Sequence, residues 1–237
     1  MEEEMKDNPT KSALIVIDME NGFISAESAQ CIKNAEKTIP ACTDAVHTAR
    51  SKGIPVFFVK RIYRSNGSDV EMTRYEAWKN GGRGMGPSSR GAISAEAPEG
   101  LRPVDGDYTI IKPRWSAFFH TELDLILRRL QIETVLLIGT TTPNCIRTAC
   151  YDANSLEYGV VILEDCCSSQ TEEIQRVNME DMRRMGAVIS NSEEFRNYSA
   201  DFVPALRRGI YQEMLDSEYV PEHFASDGKH TGWFDRW

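Results

Sequence analysis

The sequence predicts an α/β fold, with six mostly parallel strands in a doubly wound, three-layer and Rossmann-like arrangement. Short apolar runs rich in β-branched residues recur along the chain, and amphipathic helical patterns lie between them. Strands that alternate with helices in this way form a parallel sheet covered on both faces, with right-handed crossovers. Ligands bind such sheets beyond the carboxyl ends of the strands, so residues that follow the apolar runs are the first candidates for a functional site.

Six segments carry the strand pattern. Each is short and nearly continuous in apolar character, which suits parallel strands buried on both faces. The last of them is only four residues long and has the weakest pattern. The predicted strands are residues 13–18, 55–60, 108–112, 134–139, 160–165 and 187–190.

Helical patterns occupy the segments between the strands. Residues 33–52 and 119–131 are predicted helices, and the second carries apolar side chains three and four positions apart, the spacing of one helix face. The segment after Thr142 continues the set. Residues 171–186 open with a threonine suited to capping a helix and end at a glycine, which indicates a helix with both boundaries marked.

The chain is predicted to form one domain, residues 1–197, followed by an extension. Its 237 residues fit a single large α/β domain. Residues 62–107 depart from the alternation of strands and helices, and we interpret them as an insertion that forms a lid or loop. The extension, residues 198–237, is aromatic near its end, and this apolar surface should pack on the domain or on a neighbouring subunit.

The charge and hydropathy of the chain exclude several classes of partner. With 27 Lys and Arg against 36 Asp and Glu, the net charge is −9, which argues against nucleic-acid binding because phosphate backbones attract clustered positive charge. No apolar run reaches the roughly 18 residues of a membrane span. The amino terminus lacks the basic start and apolar stretch of a secretory signal, so we expect a cytoplasmic protein.

The cysteines do not form a recognisable framework. In a cytoplasmic protein the six cysteines are expected to be reduced thiols rather than disulfides. Their spacing contains no C-x-x-C pair, and the four histidines do not cluster with them, so no structural zinc site is expected.

Three reactive side chains follow three different predicted strands. Asp18 ends the first strand, Lys112 ends the third, and Cys145 lies just past the fourth. Since the carboxyl ends of parallel strands share one edge of the sheet, we expect the three side chains to meet there. Taken singly they could be a turn cap, a solvated strand end and a small buried hydrophobe. Their matched positions favour a catalytic group instead.

The stretch "GTTTPNCIRTAC", residues 139–150, suggests why the thiol would be reactive. Thr142 suits the N-cap of a helix and Pro143 its first position, which would place Cys145 in the first helical turn. There the helix dipole and a nearby ammonium would favour the thiolate, the nucleophilic form. A carboxylate within reach could accept the thiol proton.

Three motifs in combination resemble the isochorismatase-like cysteine hydrolases over residues 12–190. They are "ALIVIDMENGF", "IIKPRWSAFFHTELDLILRRL" and "VLLIGTTTPNCIRTACYDANSLEYGVVILEDCCSS". The resemblance implies the isochorismatase-like hydrolase fold with a six-stranded parallel sheet, and a catalytic triad of Asp18, Lys112 and Cys145. It also implies a cis peptide at Thr140–Thr141. The backbone N–H groups of Thr141 and Cys145 would then form an oxyanion hole.

Departures from the family pattern narrow the expected activity. The first motif usually has Gln and Asp where this chain has Glu20 and Gly22, which alters hydrogen bonding near the pocket without touching the triad. Cys145 argues against vinyl-ether cleavage, since members with that activity tend to lack the cysteine. The segment after strand two has no histidine, so we expect no metal and no other cofactor, and nicotinamidase activity is disfavoured.

The resemblance therefore favours an amidohydrolase that cleaves an amide, ureido or carbamoyl C–N bond through an acyl group on Cys145, releasing ammonia or an amine. Two alternatives stay open: a vinyl-ether hydrolase, and a non-catalytic or thiol-sensing protein on the same fold. The expected partner is a small-molecule substrate, and family members suggest a homo-oligomer, either a dimer or a tetramer. Neither nucleic acid nor membrane is an expected partner.

Several further side chains are predicted to contact the substrate. Arginines just beyond strand two could bind a carboxylate or ureido group, although a solvated loop would look the same. Trp78 could wall the pocket or anchor the insertion, and Trp115 could wall the pocket or pack in the core. The predicted substrate-binding residues are Phe23, Arg61, Arg64, Trp115, Thr142 and Asn144.

Overall fold

The computed structural model describes residues 11–198 together with Glu213 and Asp216. Six strands form one sheet in the order β3-β2-β1-β4-β5-β6, and every neighbouring pair is parallel. The predicted six-stranded, doubly wound α/β fold is therefore confirmed. The strands are β1 (Ser12–Ile17), β2 (Val56–Lys60), β3 (Tyr108–Ile111), β4 (Thr134–Thr140), β5 (Gly159–Ser168) and β6 (Val188–Ser190).

Burial of the strands follows their place in the sheet. All residues of the central strands β1 and β4 are buried, which accounts for their continuous apolar sequence. The edge strand β3 buries only Ile110 fully. Strand β5 runs three residues beyond its predicted end, to Ser168, after a shift in its pairing with β4 between Leu137 and Gly139.

Seven α-helices and several shorter turns connect these strands within residues 11–198. The α-helices are α1 (Asn21–Ile24), α2 (Ile39–Ser51), α3 (Tyr75–Asn80), α4 (Leu123–Arg129), α5 (Arg147–Ser155), α6 (Glu172–Arg184) and α7 (Ser192–Arg196). Single 3₁₀ turns lie at Glu36–Thr38, Gly91–Ile93 and Glu99–Leu101, and a π-helical turn spans Thr142–Ile146.

Two apolar clusters cover the two faces of the sheet and complete the three layers. One contains Leu123 and Leu127 of α4 and Ala149 of α5. The other contains Val46 of α2 and Phe195 of α7. No helix in the described part of the chain is both long and apolar enough to cross a membrane.

Two predicted helices are shorter than expected. The helix predicted from residue 33 becomes α2 only at Ile39, where Pro40 occupies the first turn, a position that tolerates its missing N–H. The helix predicted at 119–131 is confined to Leu123–Arg129, and Leu130 is partly exposed. The helix predicted at 171–186 is confirmed as α6, because the Thr171 side chain accepts a hydrogen bond from the N–H of Ile174.

The insertion, residues 62–107, packs as a small apolar cluster of its own. Tyr63, Val70, Trp78 and Met85 are buried together with Phe23 of α1. The insertion therefore contacts the segment that follows β1. Its role as a lid stays a prediction.

The predicted extension is residues 198–237. Tyr198 is buried in the same apolar cluster as Phe195, and the rest of the extension lies outside the described residues except for the two named above.

Candidate active site

The sheet order brings Asp18, Lys112 and Cys145 together. Asp18 follows β1, Lys112 follows β3, and Cys145 lies five residues after β4. Lys112 Nζ lies 2.7 Å from Asp18 Oδ2 and 3.4 Å from Cys145 Sγ. All three residues are buried, with relative exposures of 0% for Lys112, 1% for Asp18 and 6% for Cys145. The predicted meeting point of acid, ammonium and thiol is thus present.

Backbone groups fix the ammonium and the carboxylate. Lys112 Nζ also donates to the carbonyl oxygens of Arg114 (3.2 Å) and Trp115 (3.0 Å). The N–H of Asp18 donates to the carbonyl of Val59 on β2, at 2.9 Å. Asp18 Oδ1 is buried and accepts no hydrogen bond from a described residue. One oxygen of the carboxylate therefore binds the ammonium, and the other is available to a proton donor.

The Cys145 thiol is held in its protonated form. Burial raises its pKa to about 11, the Asp18 charge also raises it, and the Lys112 charge lowers it. At neutral pH the site therefore contains a thiol beside a base. The positive charges of Lys112 and Arg61 do lower the pKa of Cys145, as expected, but burial and the charge of Asp18 raise it more.

The turn that carries Cys145 also differs from the predicted helix start. Cys145 lies inside the π-helical turn Thr142–Ile146, and Thr141 holds the capping position. Thr142 does not cap the turn, since its Oγ1 lies 2.7 Å from Gln175 Oε1 and 3.1 Å from the carbonyl of Ser168. The cap therefore lies one residue earlier than predicted, and Cys145 stays near the start of the helical segment that continues into α5.

The backbone beside the thiol has an unused donor. The peptide bond between Thr140 and Thr141 is cis. The carbonyl of Thr141 accepts hydrogen bonds from the N–H groups of Asn144 (3.1 Å) and Ile146 (3.3 Å), whereas its own N–H donates to no residue in the described part of the chain. Thr141 lines the same cavity as Cys145, so this N–H is free to meet a ligand oxygen.

A glycine allows β4 to approach β1 closely just before the site. Gly139 has a φ of +116°, and a Cβ atom there would lie 2.1 Å from the carbonyl oxygen of Ile17. A real Cβ cannot occupy that position, and the φ is strained for any other residue. The close passage of the two strands therefore requires glycine at this position.

A cavity of about 240 Å³ opens onto Asp18 and Cys145. The aromatic rings of Phe23 and Trp78 supply apolar wall, and Arg61 supplies charge. The Trp78 ring nitrogen also donates to the carbonyl of Gly84 at 2.8 Å, so both roles foreseen for this tryptophan are present. The size and mixed lining suit a small polar organic molecule.

The predicted substrate contacts divide into two groups. Phe23 and Arg61 line the cavity. Arg64 is exposed away from it, with its backbone N–H bonded to Asp69 Oδ1 at 2.8 Å. This residue belongs to the solvated loop that was the alternative interpretation.

The other three predicted contacts also lie off the cavity wall. Trp115 packs against the core, with the Arg74 guanidinium 5.8 Å from its ring centroid. Thr142 is fully buried against the end of β5. Asn144 is half-buried in the turn, and its carbonyl accepts from Thr148 Oγ1 at 2.7 Å. Helix-start and strand-end positions alone did not show which side chains face the cavity.

Sequence reasoning missed part of the cavity wall. Gln30, Cys31 and Ile32 line the cavity, although they were placed just before a longer helix. Gln170, which follows β5, bridges to them: its Nε2 donates to the carbonyl of Cys31 at 3.0 Å, and its Oε1 accepts from the N–H of Lys33 at 3.2 Å. Gln170 lies two residues past the end of β5. It could have been predicted, because ligands bind beyond the carboxyl ends of parallel strands.

Glu20 is a second buried carboxyl group beside Asp18. Its two oxygens accept the backbone N–H of Arg61, at 3.1 and 3.3 Å. Burial, followed by repulsion from Asp18, raises the pKa of Glu20 well above its ordinary value. The sequence showed that Glu20 departs from the family pattern. Only the structure shows that this carboxyl group is buried beside Asp18.

No group of three or more His, Cys, Asp or Glu side chains within residues 11–198 is arranged to hold a metal ion. The expectation that the protein uses neither metal nor other cofactor stays a prediction.

The six-stranded parallel sheet with helices on both faces is that of the isochorismatase-like hydrolases. An Isochorismatase domain model matches residues 12–194, and the chain belongs to the isochorismatase family, whose members are hydrolases. This confirms the family expected from the motifs.

Several relatives support this assignment. The chain is 36% identical over 177 residues to a probable inactive nicotinamidase of Arabidopsis thaliana, covering 74% of this chain and 89% of that protein. A crystal structure of an isochorismatase family protein from Desulfovibrio vulgaris superposes with a TM-score of 0.75 and 36% identity, covering 79% of this chain and 97% of the other. N-carbamoylsarcosine amidase from Thermoplasma acidophilum gives a TM-score of 0.63 and 30% identity, covering 76% and 96%.

Proposed function

We propose that the protein hydrolyses a C–N bond of a small amide, ureido or carbamoyl compound through a covalent intermediate on Cys145. The observation that carries this proposal is the placement of Lys112 Nζ within reach of both Asp18 Oδ2 and Cys145 Sγ at the end of a cavity. The similarity to an N-carbamoylsarcosine amidase supports the carbamoyl class of bond.

In the first half-reaction Asp18 accepts the thiol proton as Cys145 Sγ attacks the carbonyl carbon. The C–S bond forms and the carbonyl π electrons move to oxygen. The backbone N–H groups of Thr141 and Cys145 would stabilise that oxyanion. The C–N bond then breaks, and the proton held by Asp18 passes to the departing nitrogen. Ammonia or an amine leaves, and a thioester or thiocarbamate remains.

In the second half-reaction Asp18 accepts a proton from water as the water oxygen attacks the acyl carbon. The C–S bond breaks and the sulfur recovers the proton from Asp18. Lys112 keeps the carboxylate in place and balances the negative charge that passes between Asp18 and Cys145. A protonated resting thiol suits this scheme, because general-base removal of a proton during attack contributes roughly 10²–10⁴-fold in rate.

The proposal is tested by measuring ammonia release from a panel of small amides and ureides, together with mass analysis of the protein after rapid quenching. A mass increase on the peptide that contains Cys145 is the expected result. If no compound in the panel releases ammonia and none leaves an adduct on Cys145, the proposal is contradicted.

A non-catalytic role is the second candidate, because one relative at 36% identity carries the name of a probable inactive nicotinamidase. In that case small molecules would bind without turnover. Vinyl-ether hydrolysis would release no ammonia and would persist without the thiol. We further expect the protein to act in the cytoplasm, as a homo-oligomer and without a cofactor.

A further inference from the structure

The Arg61 guanidinium has one end bonded within the protein and one edge without a partner. Its Nη1 pairs with Glu71 Oε1 and lies 3.3 Å from Tyr63 Oη and 3.4 Å from the carbonyl of Pro113. The Tyr63 hydroxyl in turn donates to Glu71 Oε2 at 3.0 Å. These contacts fix the plane and direction of the guanidinium just beyond the end of β2.

The opposite edge consists of Nε and Nη2. Nε of Arg61 is buried, and within residues 11–198 neither Nε nor Nη2 donates a hydrogen bond to any residue. The N–H groups of Nε and Nη2 point in the same direction, in the fork geometry that binds both oxygens of a carboxylate. Buried donors without partners are uncommon and costly in native proteins, which suggests that a ligand completes this edge.

The position of this edge relates it to the reaction. Arg61 is only 2% exposed, yet it lines the cavity that contains Asp18 and Cys145. Its charge is close enough to the thiol to lower the pKa of Cys145, although burial raises that pKa more. A small molecule could therefore contact Arg61 and the Cys145 sulfur together.

The charges around the cavity favour an anionic ligand. Asp18 is the one carboxylate on the cavity wall formed by described residues, and Lys112 neutralises it. Arg74 also lines the cavity, where its guanidinium lies over the ring of Trp115 and forms no ion pair with a residue of the described part. Even with Glu71 paired to Arg61, the wall retains a net positive charge.

We propose that the substrate carries a carboxylate that binds the Nε and Nη2 edge of Arg61 while its amide, ureido or carbamoyl carbon reaches Cys145. This inference rests on the proposed function and specifies its substrate class as short amido or ureido acids. Arg61 acts as the specificity residue, and Glu71 and Tyr63 act as positioning residues that hold its guanidinium.

The test measures protection of Cys145 from alkylation by iodoacetamide, with the modified peptide quantified by mass spectrometry. The protecting probes are ureidoacetate, 3-ureidopropionate and 4-ureidobutyrate, each compared with its own methyl ester. At least one acid should protect at a concentration about tenfold below that of its ester, as expected for a charge-assisted fork. If no acid protects better than its ester, the proposal is overturned.

Substitutions at Arg61 test whether this residue causes the preference for acids over their methyl esters. Arg61→Gln should abolish it, and Arg61→Lys, which keeps the charge but not the fork, should retain only part. Arg64→Gln removes a neighbouring exposed arginine outside the cavity and should leave the preference intact. Each protection is read relative to that variant's own unprotected rate, since Arg61 influences the thiol. A preference that survives Arg61→Gln would overturn the proposal.

Two provisions keep the test decisive. If Arg61→Gln fails to fold because Glu71 loses its partner, the double variant Arg61→Gln/Glu71→Gln removes both charges and takes its place. Protection requires binding alone, so an acid preference without ammonia release would support this inference and contradict the hydrolytic function. Ammonia release from neutral amides, unaffected by Arg61→Gln, would support the function and contradict the inference.

Discussion

Lys112 Nζ and Asp18 Oδ2 lie 2.7 Å apart, although the two residues follow strands that are not neighbours in the sheet. The long lysine side chain reaches across the end of β2 to the acid that follows β1. The same nitrogen contacts the Cys145 sulfur at 3.4 Å. One buried ammonium therefore stabilises whichever of the two groups carries the negative charge.

Replacing Cys145 by alanine should reduce ammonia release by at least about 10³-fold, because the proposed intermediate forms on its sulfur. Circular dichroism should show an unchanged fold. Cys150→Ala is the matched control, since this thiol is buried in the core on α5 and does not line the cavity. Wild-type turnover by Cys145→Ala would remove the thiol from the mechanism.

Replacing Lys112 by methionine should lower the free energy of unfolding by about 3–5 kcal/mol, because Asp18 is left as a buried charge without its partner. Urea denaturation at neutral pH measures the change. The double variant Asp18→Asn/Lys112→Met removes both charges and should recover much of the loss. An equally unstable double variant would mean that packing of the lysine, rather than charge pairing, dominates.

Alkylation of Cys145 by iodoacetamide should accelerate about tenfold per pH unit between about pH 7 and 10, since only the thiolate reacts. The pKa of about 11 predicts no plateau in this range. Lys112→Met should shift the profile further towards alkaline pH, because the lysine lowers that pKa. A rate that is constant from pH 6 to 9 would instead indicate a preformed thiolate.

Replacing Glu20 by glutamine should stabilise the protein at neutral pH more than at acidic pH. The pKa of Glu20 is raised in the folded state, first by burial and then by Asp18. Such a group contributes stability that is complete below its unfolded pKa and is lost as pH rises through its folded pKa. Glutamine does not titrate, so the difference in unfolding free energy between variant and wild type should grow with pH.

Urea denaturation of both proteins at about pH 5 and pH 8 measures this difference, because a glutamate in the unfolded chain titrates at about 4.3. The amide oxygen of the Glu20→Gln variant can still accept the N–H of Arg61, which keeps the local geometry. A difference that stays constant or shrinks as pH rises would contradict the direction of the shift.

Replacing Gly139 by alanine should destabilise the protein by at least about 4 kcal/mol, beyond the range of ordinary substitutions. A Cβ there would meet backbone atoms of Ile17, which cannot move aside as a side chain would. Gly186→Ala is the control, because Gly186 has a φ of +103° and open space around it. The control isolates backbone strain, about 1–3 kcal/mol, and thermal unfolding of the two variants compares them.

The sequence was sufficient to predict the triad of side chains because strand ends in a parallel sheet share an edge. Asp18, Lys112 and Cys145 each follow a strand whose apolar pattern is unmistakable. Once the strands were placed in one parallel sheet, the three side chains were expected to lie close together. The protonation of the thiol was not predictable in the same way, because it depends on burial by side chains from other segments.

The residues of the cavity wall were harder to predict than the meeting of Asp18, Lys112 and Cys145. Gln30 and Cys31 precede α2 in an irregular segment without a periodic pattern. The helix was accordingly predicted from residue 33, although α2 begins only at Ile39.

Arg61 and Arg64 lie three residues apart and looked equivalent. Only the packing of the insertion decided that Arg61 turns inward to Glu71 while Arg64 stays in solvent.

The short edge strand β3 pairs with β2 alone and delivers Lys112 to the cluster. Refolding experiments can therefore time the docking of β3 onto the sheet. Helical circular dichroism would follow the formation of most of the domain, whereas regained turnover requires that this outermost strand has docked. A delay between the two signals would show that β3, and with it Lys112, joins the sheet after the helices have formed.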